Sequence, residues 1–227
     1  MNMWARWGVD AAAALPAVGV AGVYMRLGWC VVLALLGACM VRLLWRAAWG
    51  NSLRWRRGVA VLCAIWAWVP GVWGASFWLG LAFQSPSLTS VGLSSWALWR
   101  LLVPHPMGGA QESSSGRWSA SVAGVLLVLG WLLLLDSFAL LPVALYSLGF
   151  GPMPVWGMAL LVAVPWAWCG SRVRLGAAWP ISVGVCLVYV VLRLPSGNAW
   201  DALLDPWCWI VLHAVAVRWG WLRLRRA

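Results

Sequence analysis

Six apolar runs, at 27–45, 58–83, 120–141, 154–169, 175–192 and 207–221, succeed one another along the chain with arginine, glycine and proline gathered between them. A helix needs about 20 such residues to cross roughly 30 Å of hydrocarbon. Inside that layer an α-helix satisfies every backbone N–H and C=O within its own segment. The pattern therefore predicts an all-α fold, a polytopic transmembrane helical bundle, with residues 1–227 forming a single integral membrane domain. Composition agrees: 64% of the residues are hydrophobic and only 9% charged, too little polar surface to cover a water-soluble domain of this size.

The charge is one-sided, with 16 basic residues, all arginine, against 5 acidic ones. A net charge of +11 on a soluble chain would point to nucleic acid. Nucleic-acid binders, however, concentrate arginine on a water-facing surface, whereas here the arginines punctuate apolar runs and read as topology anchors. No nucleic-acid partner is expected; the lipid bilayer and other membrane protein subunits are. The arginines also decide how many spans there are. With Arg42, Arg46, Arg54, Arg56 and Arg57 placed on the cytoplasmic side, six spans leave six arginines inside and ten outside. A weaker seventh span over 87–103, "SLTSVGLSSWALWRLLV", reverses the later loops and leaves only Arg6, Arg26 and Arg193 outside, a split of thirteen to three. Seven spans with a cytoplasmic C-terminus satisfy the positive-inside rule, and a bacterial inner (plasma) membrane is the expected location.

Two segments stay open at this level. Residues 11–25 either cross the membrane, forming a tight hairpin with the next helix around Arg26, or lie in the interface; the span count is seven or eight accordingly. Residues 104–118, "PHPMGGAQESSSGRW", read as a flexible cytoplasmic loop rich in Pro, Gly and Ser. His105 within it has no second ligand nearby.

Chemistry-bearing residues are scarce. The six cysteines are isolated inside apolar runs, without CxxC or histidine at ligand spacing; no metal and no cofactor are expected. Nucleophile, metalloprotease and phosphate-loop signatures are lacking, so no catalytic residue is assigned. Many of the 23 tryptophans fall at predicted span ends, where an indole places its ring among acyl chains and its N–H among headgroups. The best pointers are the ionisable residues at membrane depth, each of which costs at least about 2.5 to 3.5 kcal/mol unless paired or solvated. The seven-span arrangement puts Asp136, Arg193, Asp201 and Asp205 at one outer level, with His213 one or two turns deeper on the last helix. They form a candidate polar cluster for binding a cation or carrying protons. Its structural counterpart is an Asp136–Arg193 salt bridge plus an Asp205–Pro206 helix start. Asp201 and Asp205 share a face if "AWDALLD" is one helix.

Three functions fit. The first is a non-catalytic integral inner-membrane subunit or assembly partner of a larger cell-envelope complex. The second is a small-solute or ion-coupled transporter or channel using the aspartates. The third is a membrane enzyme acting on a lipid or lipid-linked glycan held by tryptophans.

Overall fold

The computed structural model describes residues 15–44, 53–103, 115–151, 155–158 and 178–225. Among these every regular element is helical and there is no strand. In chain order they are α1 (Val18–Leu44), α2 (Leu53–Trp68), a 3₁₀ turn (Gly71–Trp73), α3 (Ala75–Phe83), α4 (Leu88–Leu102), α5 (Ser115–Ser137), α6 (Leu145–Leu148), α7 (Ala178–Leu192), α8 (Ala199–Leu203) and α9 (Pro206–Leu224).

One described helix, α1, is long and apolar enough to cross a membrane, with 27 residues and a mean hydropathy of 2.2 in its best window. It corrects the reading of 11–25. The helix runs without a break through Arg26, so no hairpin turns there. Residues 1–14 lie outside the described ones, as do 104–114, with His105. The run 154–169 is described only over the helical turn 155–158, and Cys169 also falls outside. Helix α5 starts at Ser115, so the final residues of the expected loop 104–118 belong to a helix.

The second correction concerns 58–83, expected as one span. It is two helices broken at Val69–Gly74. Pro70 carries no N–H and its ring clashes with the preceding turn, and Gly71 follows at φ +68°, a conformation open to glycine. The freed carbonyls are taken by indoles: Trp66 Nε1 donates to Trp73 O at 3.1 Å and Trp78 Nε1 to Val72 O at 2.8 Å. The chain then turns back as α3, whose Gly80 lies against Met25 of α1.

At the seam of α1 and α2 the buried residues are small. Helices α1 and α2 close on Ala34, Ala38 and Ala60, with Gly37 against Val59 and Cys63 and the Cys30 thiol donating to Ala64 O at 3.2 Å. Small residues at these positions let the two helix backbones approach closely. Outward, Val18, Val191 and Leu224 are 89%, 74% and 76% exposed.

Helix α4, the weak seventh run, links two ends of the structure. Its first turn is bonded to Asp205, through the Ser87 N–H at 2.7 Å. Its last carbonyl, Leu102 O, accepts Arg57 Nε at 3.2 Å and Nη2 at 2.8 Å. The arginine-bearing start of α2 and the acid-bearing start of α9 therefore mark opposite ends of α4.

Candidate functional site

Beyond the apolar helices, three connections meet at the acid-bearing end: 84–87 between α3 and α4, 138–151 after α5, and 193–205 after α7. Their composition explains why they do not continue the helices. Gln84, Ala139 and Arg193 each take positive φ (60°, 54° and 55°) and end a helix, a task that glycine performs without strain. Pro86 and Pro195 follow, and "SGNAWD" opens a new helix with Asn198 as its cap.

Asn198 is fully buried. Its Oδ1 accepts the Trp200 N–H at 2.9 Å, and its Nδ2 donates to Tyr146 O at 3.0 Å. Around it the 193–200 segment supplies donors and the 145–149 segment carbonyls. Trp200 Nε1 donates to Leu145 O at 2.9 Å and the Ala199 N–H to Gly149 O at 3.0 Å. Tyr189, also fully buried, donates its hydroxyl to Gly197 O at 2.8 Å, with Gly149 O at 3.3 Å. The third connection joins through Tyr24, whose hydroxyl donates to Pro86 O at 2.7 Å.

The aspartates sit inside this clasp. Asp136, at the end of α5, accepts the Tyr146 N–H at 2.7 Å. Asp201, on α8, accepts the Tyr146 hydroxyl at 2.8 Å and the Ser196 hydroxyl on the same oxygen. Asp205 joins two helices: Oδ1 takes the Cys208 N–H of α9 at 2.7 Å and Oδ2 takes the Ser87 N–H at 2.7 Å, while Ser87 Oγ accepts the Ser90 N–H of α4 at 3.0 Å. One carboxylate thus lies against two helix N-termini, each carrying about half a positive charge.

Two of the expected pairings differ. "AWDALLD" is not one helix: α8 ends at Leu203, Leu204 is extended (ψ 133°), and Asp205 belongs to the cap of α9, so Asp201 and Asp205 do not share a helical face. The Asp-Pro pair starts a new helix there because Pro206 needs no N–H partner at its first position. Nor do Asp136 and Arg193 pair. Asp136 is turned to Tyr146, and the Arg193 guanidinium lies over the Tyr189 ring, 5.4 Å from its centroid. Arg193 is held by its own backbone, donating N–H to Tyr189 O and accepting from Gly197.

His213 is apart from these groups. Its Nδ1 lies 2.8 Å from Trp209 O, and a carbonyl only accepts, so that nitrogen carries the proton. The ring packs edge-on against Trp209 and Trp131, with centroids 4.5 and 5.9 Å away. This small aromatic group is the seam between α5 and α9, sealed where Trp209 Nε1 meets Leu127 O at 3.3 Å.

Sequence reasoning missed Tyr146 and Ser87, which bond the acids, and Tyr189 and Asn198, which tie the connections together. A signal existed. The chain has only 3 tyrosines beside its 23 tryptophans, and all three, Tyr24, Tyr146 and Tyr189, donate their hydroxyls at this one end. An aromatic that both anchors and donates through oxygen is rare enough here to have marked the site.

Tyr146 also carries a pH signature. Burial of its ring, and then the hydrogen bond and charge of Asp201, push its hydroxyl above the ordinary value of 10.0. The folded state therefore holds this proton more tightly than the unfolded chain, so the contribution to stability is complete below about pH 10 and declines as pH rises further. Alkaline unfolding of the detergent-solubilised protein is expected to begin in that range. Tyr146→Phe should lower stability at neutral pH and flatten the alkaline decline, both read from melting temperature against pH.

Comparison with protein-family models, with curated proteins and with solved structures finds no match in any of the three.

Proposed function

We propose that this chain is a non-catalytic integral membrane subunit or assembly partner in a larger envelope complex, with α1, α2, α4, α5, α7 and α9 as its described spans and its C-terminus cytoplasmic. The observation that carries the reading is the use made of the carboxylates. Asp136, Asp201 and Asp205 all accept from donors of the chain's own connections, so they fix loop and helix positions at the outer end. Two further features support it. Its helices turn large apolar side chains outward, and the arginine split of thirteen to three orients it with these acids away from the cytoplasm.

The rival reading, ion-coupled transport, has one foothold. Among the described residues Asp201 is held by two side-chain hydroxyls and by no backbone N–H, and hydroxyls can rotate to exchange partners. The two readings part on Asp201→Asn. An assembly subunit carrying this change should still co-purify with the same membrane partners in mild detergent, at somewhat reduced yield. A proton- or cation-coupled transporter should keep its yield and lose coupled uptake in proteoliposomes. Wild-type protein that purifies free of partners and drives uptake alone would overturn the assembly reading.

A further inference from the structure

Helices α1, α4 and α7 enclose an open groove of about 800 Å³, within the size range of small-molecule sites. Gly19, Leu27, Val91, Gly92, Gly184 and Val188 are among the residues lining it, and its one hydroxyl, on Tyr24, is already bonded to Pro86 O. Nothing in the wall therefore asks for a polar ligand. The rim at the acid-bearing end differs. Arg193 stands between two lining residues, Leu192 and Leu194. Arg26 is not itself in the wall but stands in α1 between two lining residues, Tyr24 and Leu27.

These two arginines have no carboxylate partner among the described residues, because the nearby aspartates are bonded to backbone N–H and hydroxyl groups instead. Arg193 is, in addition, held rather than free to swing. Its backbone is fixed at φ 55°, an uncommon conformation for a residue with a side chain, and its guanidinium rests on the Tyr189 ring. A guanidinium stacked on its face still presents its N–H edge, the geometry that matches phosphate oxygens.

We propose that the groove holds an acyl chain of an anionic phospholipid whose phosphate is bound by Arg193 and Arg26 at the outer mouth. The proposal rests on the membrane reading above and adds a ligand to it. Apolar walls select the chain, and the two guanidiniums select a phosphate.

The test is native mass spectrometry of the full chain, delipidated in detergent and then offered phosphatidylglycerol or phosphatidylcholine. Wild type should retain phosphatidylglycerol in preference. Each arginine near an anionic headgroup is worth on the order of a factor of five, so Arg26→Gln with Arg193→Asn should weaken that retention about tenfold or more and leave phosphatidylcholine unchanged. Asparagine is chosen because it tolerates positive φ. Gly184→Leu fills the groove from a position where a Cβ meets nothing within 4 Å, and should reduce retention of both lipids without loss of fold. Equal retention of the two lipids by wild type, or normal retention by Gly184→Leu, overturns the groove while leaving the chain a membrane protein. Recovery of wild type in the soluble fraction overturns the membrane reading together with it.

Discussion

Replacing Asp205 with alanine is expected to lower stability by about 3 kcal/mol, with a drop in melting temperature on the order of 10 °C in detergent, followed through tryptophan emission. The estimate adds two losses. The first is the cap of α9, where removing a capping oxygen costs about 1 to 2 kcal/mol. The second is the Ser87 N–H, bonded to Asp205 Oδ2 and belonging to a fully buried residue. A buried donor left without an acceptor costs about 1 to 3 kcal/mol. Asp205→Asn keeps one acceptor oxygen and so can serve one of the two helices, and about 1 kcal/mol is expected. Ser87→Ala removes the cap of α4 but leaves the backbone bond to Asp205, and it too should cost about 1 kcal/mol. An Asp205→Ala loss no greater than that of Ser87→Ala would mean that the two helix starts are not coupled through this carboxylate.

The ordering of these three variants also tests why the acid is there. A carboxylate kept for ion binding would show a stability gain, or no change, on neutralisation, because the repulsion and desolvation held in reserve for a ligand would be relieved. A carboxylate kept to join α4 and α9 shows a loss graded by how many acceptor oxygens remain. Tyr146→Phe extends the argument to Asp201, the only described aspartate held purely by side-chain hydroxyls.

What the sequence made legible was local. The apolar period of the long runs, the Asp205–Pro206 helix start and the serine-bearing seventh run can each be read from neighbouring residues, because capping and proline geometry act within one turn. Two boundaries misled for the same kind of reason. Hydropathy alone runs through Pro70–Gly71, although that dipeptide is a breaker, because the aliphatic residues and phenylalanines on either side keep the average high. Arg26 suggests a turn by its charge, although the long arginine stem can carry its head toward water from within a helix. The clasp was not legible. Tyr146 meets Asp201 across 55 positions and Ser87 meets Asp205 across 118, and no spacing rule reaches that far. Its residues are also ordinary ones, such as an asparagine in a Ser-Gly-Asn turn, that acquire a role only when two connections are brought face to face.

Gly149→Ala sets two effects against each other, and the outcome depends on that meeting of connections. Gly149 has helical backbone angles, φ −61° and ψ −21°. Alanine fits such angles, and by itself the change would stabilise by about 0.4 to 1 kcal/mol through the unfolded chain. The new methyl, however, would lie 1.8 Å from Asn198 Oδ1 and 2.5 Å from Trp200 Cδ1. Neither neighbour can move cheaply. Asn198 is fully buried and bonded through both ends of its amide, and Trp200 is tied to Leu145 O. Overpacking against fixed atoms costs about 1 to 3 kcal/mol or more, and parting the two segments adds the loss of their shared hydrogen bonds. A net loss of about 3 kcal/mol is therefore expected, with protease sensitivity appearing in 138–151 before the rest of the chain. Gly124→Ala is the matched control: it lies within α5 and its Cβ would meet nothing within 4 Å, so it should be neutral or stabilising by up to about 1 kcal/mol. If both variants melt alike, the loops around Asn198 are not pressed together, and the three aspartates lose the scaffold that holds them at one level.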